Sequence, residues 1–211
     1  MDSKPEKDRG SQLRQLMARN LTRMTDNNRL RVVELERYAS QGLKTVFDLV
    51  PMLLQINHPE VPGYLENADP LRGISGLQTS VFLEKVLSAF PFLRGELSRA
   101  LGVAEPAVDS LVLMGSSGSV GHTASSDLDY WVCLNRNRFL PGELMVLKKK
   151  LGVISRWAAE RHRTEVNFYI VDLEALADNR LETEGEETEG EVAPLFLKEE
   201  FYRTLLHVAG R

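Results

Sequence analysis

The amino-acid sequence predicts an α+β protein, with helices gathered in its first half and a small mixed sheet with packed helices in its second. Two changes of pattern carry this reading. Apolar residues recur at spacings of three and four through the early chain (Leu13, Leu16, Met17, Leu21, Met24), and from Ser110 the apolar period shortens to two. A third observation is a long amphipathic stretch, Pro141 to about Arg163, placed between two strand-like segments.

The helical part begins near Ser11 and runs to about Tyr38, with Asp26-Asn27-Asn28 as a break point. A second helix spans about Leu43 to Gln55, and Pro51 inside it implies a kink or an early stop. Asn57 to Gly73 holds Pro59, Pro62, Gly63, Pro70 and Gly73 and reads as a structured loop. Helices follow over about Thr79–Ala89 and Glu96–Leu101. Ser110–Met114 (SLVLM) is a short buried strand, and Asp127–Leu134 (DLDYWVCL) is a second, rich in strand formers. On the long helix Leu144, Leu147, Leu151, Ile154 and Trp157 form one stripe, and the lysines Lys148-Lys149-Lys150 read as a solvated face. Glu165–Val171 is the third strand, and Leu195–Val208 is expected to be a final helix. The domain division that follows is a flexible tail at 1–10, a helical subdomain at 11–105 and an α/β core at 106–211.

Composition bounds the function. The 211 residues are 43% hydrophobic and 27% charged, close to the globular average, so disorder throughout and a rod are excluded. No apolar run is long enough to span a bilayer, and Met1–Gly10 lacks the apolar stretch of a secretory signal. The lone Cys133 excludes an internal disulfide and suits the reducing cytoplasm. A net charge of −4 disfavours a general nucleic-acid binder. The acidic excess is local: Leu181–Glu191 holds six acids and no base, and outside it 24 acids face 26 bases. That run, 181–191, reads as a solvated mobile loop.

The chemistry concentrates in Met114–Asp129, MGSSGSVGHTASSDLD. An apolar strand ends in Gly115-Ser116, a glycine- and serine-rich turn follows, and a strand opens with two aspartates one residue apart. Residues two apart on a strand share a face, so Asp127, Asp129 and Trp131 form one row. Paired carboxylates repel unless a cation lies between them or one takes a proton, and paired oxygen ligands suit Mg²⁺. Gly115 and Gly118 let backbone approach a ligand, and Ser116 and Ser117 can add hydroxyl donors to a phosphate. On the third strand, Glu165 shares a face with Asn167 and Tyr169 and can complete a two-metal site or serve as a base. Cys133 is expected to be a small buried hydrophobe and His122 an exposed loop residue.

Gly115-Ser116, ten residues, then Asp127-Leu128-Asp129 resembles the defining pattern of the polymerase-β-type nucleotidyltransferase superfamily. The fuller string MGSSGSVGHTASSDLDYWVC is similar to one branch, the bacterial class I adenylate cyclases. The resemblance reaches upstream to His58-Pro59 and Pro62-Gly63-Tyr64-Leu65, and downstream to Trp157-Ala158 and Glu200-Phe201-Tyr202-Arg203-Thr204. It implies a nucleotidyltransferase-like fold and conversion of ATP to 3′,5′-cyclic AMP and pyrophosphate with two Mg²⁺ or Mn²⁺ ions. It implies Asp127 and Asp129 as metal ligands, triphosphate contacts from Gly115, Ser116 and Ser126, and Trp131 as a residue needed for activity. Glu165 as third carboxylate comes from strand parity instead. Members of that family are several times longer, so the chain is expected to be an N-terminal catalytic part, with a regulatory C-terminal region or protein as partner.

Two alternatives stand beside this. The same residues would serve a nucleotidyltransferase passing AMP to another acceptor, or a regulatory module that binds nucleotide without turning it over.

Overall fold

The computed structural model describes residues 4–68, 71–77, 80–95, 97, 106–119, 121–123, 126–178, 199, 201 and 203–210. The expected acidic loop at 181–191 lies outside them, as does the expected helix at 96–101 apart from Leu97.

Helix α1, Lys4–Tyr38, starts within the stretch read as a flexible tail and passes unbroken through Asp26-Asn27-Asn28. Pro5 sits in its first turn, where a missing N–H costs nothing. Asn28, a weak helix former, is held by tertiary bonds: its side-chain amide donates to His207 O (2.8 Å), and its Oδ1 accepts from His207 N (2.6 Å). The stripe Leu13, Leu16, Met17, Leu21 and Met24 predicts the helix, but all five are exposed, and Leu35 in the last turns is the residue that enters the core.

Ser40 caps helix α2, Gln41–Leu53, its hydroxyl accepting from Leu43 N at 3.2 Å. Pro51 lies inside the helix, which stops two residues later, earlier than the expected Gln55. The proline-rich loop beyond is stapled by Asn57, whose amide donates to Leu65 O and Ala68 O while its Oδ1 accepts from Leu65 N. Helix α3, Val81–Ala89, packs on α2 through an edge-on Phe47–Phe82 contact.

Strands β1 (Val108–Met114), β2 (Leu128–Leu134), β3 (Val166–Asp172) and β4 (Leu206–Gly210) form a sheet of order β3-β2-β1-β4. β1 runs antiparallel to both β2 and β4, and β2 runs parallel to β3. A parallel pair needs a crossover, supplied by helix α4, Glu143–His162. A one-turn helix α5, Leu173–Ala177, follows β3. The architecture is therefore mixed α+β.

β4 corrects the sequence reading. The final helix expected over Leu195–Val208 has helical residues at 199, 201, 203 and 204, but the chain then turns to strand. The second edge of β1 decides this, pairing Leu113 with Leu206 and Leu111 with Ala209.

Alternation in the strands builds two cores. Leu111, Leu113, Leu128, Tyr130, Val132 and Leu134 join α2, α3, α4 and Leu35 in one continuous cluster that bridges positions 11–105 and 106–211. The opposite parity forms a smaller cluster of Val112, Met114, Trp131, Cys133, Val171, Leu176 and Phe201. Cys133 is fully buried, and burial pushes its thiol up to about 11.

Lys150 is a second correction. It is 2% exposed, and its ammonium donates to Ile56 O (2.7 Å) and Gly63 O (2.8 Å), tying α4 to the proline-rich loop. It stands three residues after Leu147 and four before Ile154, so position on the stripe outweighs residue type. Among the described residues no helix is long and apolar enough to cross a membrane.

Candidate functional site

The site lies where β1 ends, turns back and meets the start of β2. Gly115 (φ +76°) and Gly118 (φ +64°) bracket the turn in the left-handed region that favours glycine. At Gly118 a side chain is also excluded by packing: a Cβ there would lie 2.1 Å from Arg31 O of α1.

Inside the turn, Ser119 N and the Ser119 hydroxyl both donate to Ser116 O. The amides of Ser116, Ser117 and Gly118 donate to no acceptor among the described residues. Three successive amides without internal partners, in a turn with left-handed glycines, are the raw material of an anion site. The Ser117 side chain is buried, with its Oγ unpartnered, so outward it offers backbone. The Ser126 hydroxyl accepts from Thr123 N at 2.9 Å and shapes the loop entering β2. His122 is buried rather than exposed as expected: among the described residues neither ring nitrogen has a partner, and burial lowers its basicity.

The carboxylates face this turn. Met114 and Asp129 are register partners on β1 and β2, and a Cβ at Gly115 would stand 3.9 Å from Asp129 Oδ2. Asp129 is half-buried; Asp127, one residue before β2, and Glu165, one residue before β3, are exposed. The Asn167 side-chain amide donates to Asp129 Oδ1 at 3.0 Å. Burial raises the Asp129 carboxyl above the ordinary range, the Asn167 bond pulls it down, and the charges of Asp127 and Glu165 push it up again. The field of all three acids thus converges on Asp129.

The chemistry of this donor set fits a divalent cation in part. Among the described residues no lysine, arginine or histidine forms an ion pair with Asp127, Asp129 or Glu165, so the repulsion is left for a cation or proton to relieve. Two hard oxygen donors with open surroundings suit Mg²⁺, which keeps much of its water. Glu165 acts on Asp129 through its charge, and among the described residues no group of three or more His, Cys, Asp or Glu side chains is gathered closely enough to hold a metal.

Trp131 continues the row from Asp129 but is 5% exposed and stacked on Phe201, ring centroids 5.4 Å apart. It supports the site from below. Sequence reasoning placed Asn167 on the correct face without giving it a role; its register opposite Asp129 is what reveals one. Arg31, against the turn, carries no local signal, because 86 residues separate it from Ser117.

Comparison with known proteins places the chain in a family. Residues 16–211 match the family model described as adenylate cyclase NT domain. The adenylate cyclase of Salmonella typhimurium is 32% identical over 185 residues, covering 87% of this chain and 21% of the relative. That of Escherichia coli K12 is 32% identical over 184 residues with the same coverage, and that of Haemophilus influenzae is 32% identical over 182 residues. The chain thus spans about a fifth of the length of the curated relatives it matches. No solved structure matches it. From the match over nearly its whole length, the chain belongs to the adenylate cyclase NT domain family.

Proposed function

We propose that this chain carries the nucleotide- and metal-binding part of an adenylate cyclase, which converts ATP to 3′,5′-cyclic AMP and pyrophosphate. The observation that carries this is the abutment of an amide-bearing turn, Gly115–Gly118, on the Asp129 carboxylate, with Asp127 beside it. A triphosphate needs both halves: donors for its oxygens and acids for the cations it brings. A strand-turn-strand of this kind belongs with the nucleotidyltransferase-like folds.

In this reading the amides of Ser116, Ser117 and Gly118 hold triphosphate oxygens, and Gly115 keeps the backbone close. Asp127 and Asp129 would hold Mg²⁺ or Mn²⁺, and Glu165 tunes Asp129 or closes the set once nucleotide is present. When bound, the two ions supply acidity to the ribose 3′-hydroxyl and neutralise charge on pyrophosphate. The 3′-oxygen bonds to the α-phosphorus, the α–β phosphoanhydride bond breaks, and the hydroxyl proton leaves to solvent or a carboxylate. Asn167 keeps Asp129 aimed while the charge redistributes. Trp131 holds the floor of the site. ATP is the substrate, the remainder of a longer protein is the partner, and the cytoplasm is the compartment.

The test is incubation of the chain, and of a full-length relative-sized protein containing it, with ATP and Mg²⁺ or Mn²⁺, with products resolved by chromatography. Cyclic AMP from either, lost by at least about 10³-fold in Asp127→Asn and Asp129→Asn, supports the reading. A labelled acceptor instead would mark AMP transfer. Nucleotide binding without turnover in both would mark a regulatory module.

A further inference from the structure

Arg31 lies on α1, far in sequence from the turn, yet it makes the turn's firmest contact. Its Nη2 and Nε donate to Ser117 O at 2.6 and 3.2 Å. Its Nη1 donates to Thr204 O and, at 3.0 Å, to Leu205 O, at the entry to β4. Its own carbonyl fills the space that a side chain at 118 would need. One residue therefore grips the turn from both sides of its peptide.

Two physical consequences follow. The carbonyl of Ser117 and the N–H of Gly118 belong to the same peptide unit. A guanidinium drawing on that carbonyl polarises the unit and makes the Gly118 N–H a stronger donor toward an anion. Arg31 is also half-buried, and among the described residues all its hydrogen-bond partners are carbonyls, with no carboxylate paired to it. Its positive charge is left to act through the turn on whatever anion binds there.

We propose that Arg31 is a positioning residue for the triphosphate: it fixes and polarises the Ser117–Gly118 peptide and places an uncompensated positive charge behind the turn, so that α1 sets the nucleotide affinity of the site. The proposal rests on the nucleotide reading of the turn given above. It differs from a simple packing role in predicting an electrostatic effect on binding.

The experiment is calorimetric titration of the 211-residue chain with ATP, with and without Mg²⁺, at several salt concentrations. Arg31→Met should raise Kd by about tenfold or more and flatten its salt dependence. Arg31→Lys should recover part of the affinity, because lysine keeps the charge but not the fork. Asn28→Ala, which frees α1 from β4 without touching the charge, should leave Kd within about twofold. If the parent chain binds no ATP, the nucleotide reading of the turn falls and takes this proposal with it. If the parent binds and Arg31→Met binds equally well, only the role of Arg31 falls. A lower stoichiometry at unchanged Kd, or equal weakening by Asn28→Ala, would reduce Arg31 to an anchor and overturn the proposal.

Discussion

Asn167 holds one oxygen of Asp129 across the parallel β2–β3 seam, at matched register, with its amide 3.0 Å from Oδ1. The contact sets the carboxylate's direction and leaves Oδ2 turned toward Gly115. Its neutrality matters as well. An arginine there would neutralise the carboxylate, whereas an amide orients the group and adds no opposing charge.

Asp129 is therefore kept at a cost to stability. Its carboxyl is raised by burial and by Asp127 and Glu165, so the folded chain binds a proton there more readily than the unfolded chain does. The penalty is absent below the ordinary carboxylate range and fully present above the raised value, so stability falls as pH climbs between them. Asp129→Asn should raise the melting temperature at pH 7 by about 1–3 °C, solvent screening of a half-exposed group keeping the gain small. The advantage should vanish in melts below the carboxylate range; a pH-independent difference would contradict this account.

Gly118 should be the least replaceable residue of the turn. Gly118→Ala combines a positive φ with a Cβ 2.1 Å from Arg31 O, and relief requires shifting backbone rather than a side chain. A loss of about 2–4 kcal/mol is expected in urea denaturation. Gly95→Ala, where a Cβ meets nothing within 4 Å, is the matched control and should change stability by under about 0.5 kcal/mol.

Lys150 gives an alkaline signature. Burial lowers its ammonium to about 8, below the value it has in the unfolded chain. Between about 8 and the ordinary lysine value near 10.4 the unfolded chain binds more protons, so this residue makes stability rise with pH across that window. Denaturation midpoints of the parent and Lys150→Met across pH 7.5–10.5 should show that contribution in the parent alone. Identical slopes would mean that the carbonyls of Ile56 and Gly63 hold the charged form as well as water does.

Trp131 should act through packing. Removing a ring buried against Phe201 in Trp131→Ala should cost about 3–5 kcal/mol. Trp131→Phe keeps an aromatic partner and, under the proposed function, should leave cyclic AMP formation within about tenfold of the parent once corrected for the folded fraction. A loss of 10³-fold with native stability would place the indole against the substrate instead.

The site was legible in sequence to the extent that its determinants are local. The Gly115–Gly118 turn and the alternation from Asp129 to Leu134 follow from residue types at short spacing, and both cores divide along that alternation. What escaped was set by partners distant in the chain. Phe201, Leu205 and Val208 fall at helical spacing, and only pairing with the edge of β1 makes Leu206–Gly210 a strand. Lys150 was misjudged because its type outvoted its place on the stripe, and the acceptors that make its burial tolerable lie about ninety residues away. The α1 stripe shows the converse: periodicity gave the helix correctly but not which part of it is buried.

The alternation in β2 also bears on how faithfully the strand is assembled. Leu128, Tyr130 and Val132 enter the larger core, while Asp129 faces the turn. Sliding β2 by one residue against β1 would drive a carboxylate into hydrocarbon and expel a tyrosine that stacks on Phe168. The carboxylate on one face of β2 and the buried rings and aliphatics on the other thereby penalise the wrong alignment, so Asp129 also serves as a register mark for the strand.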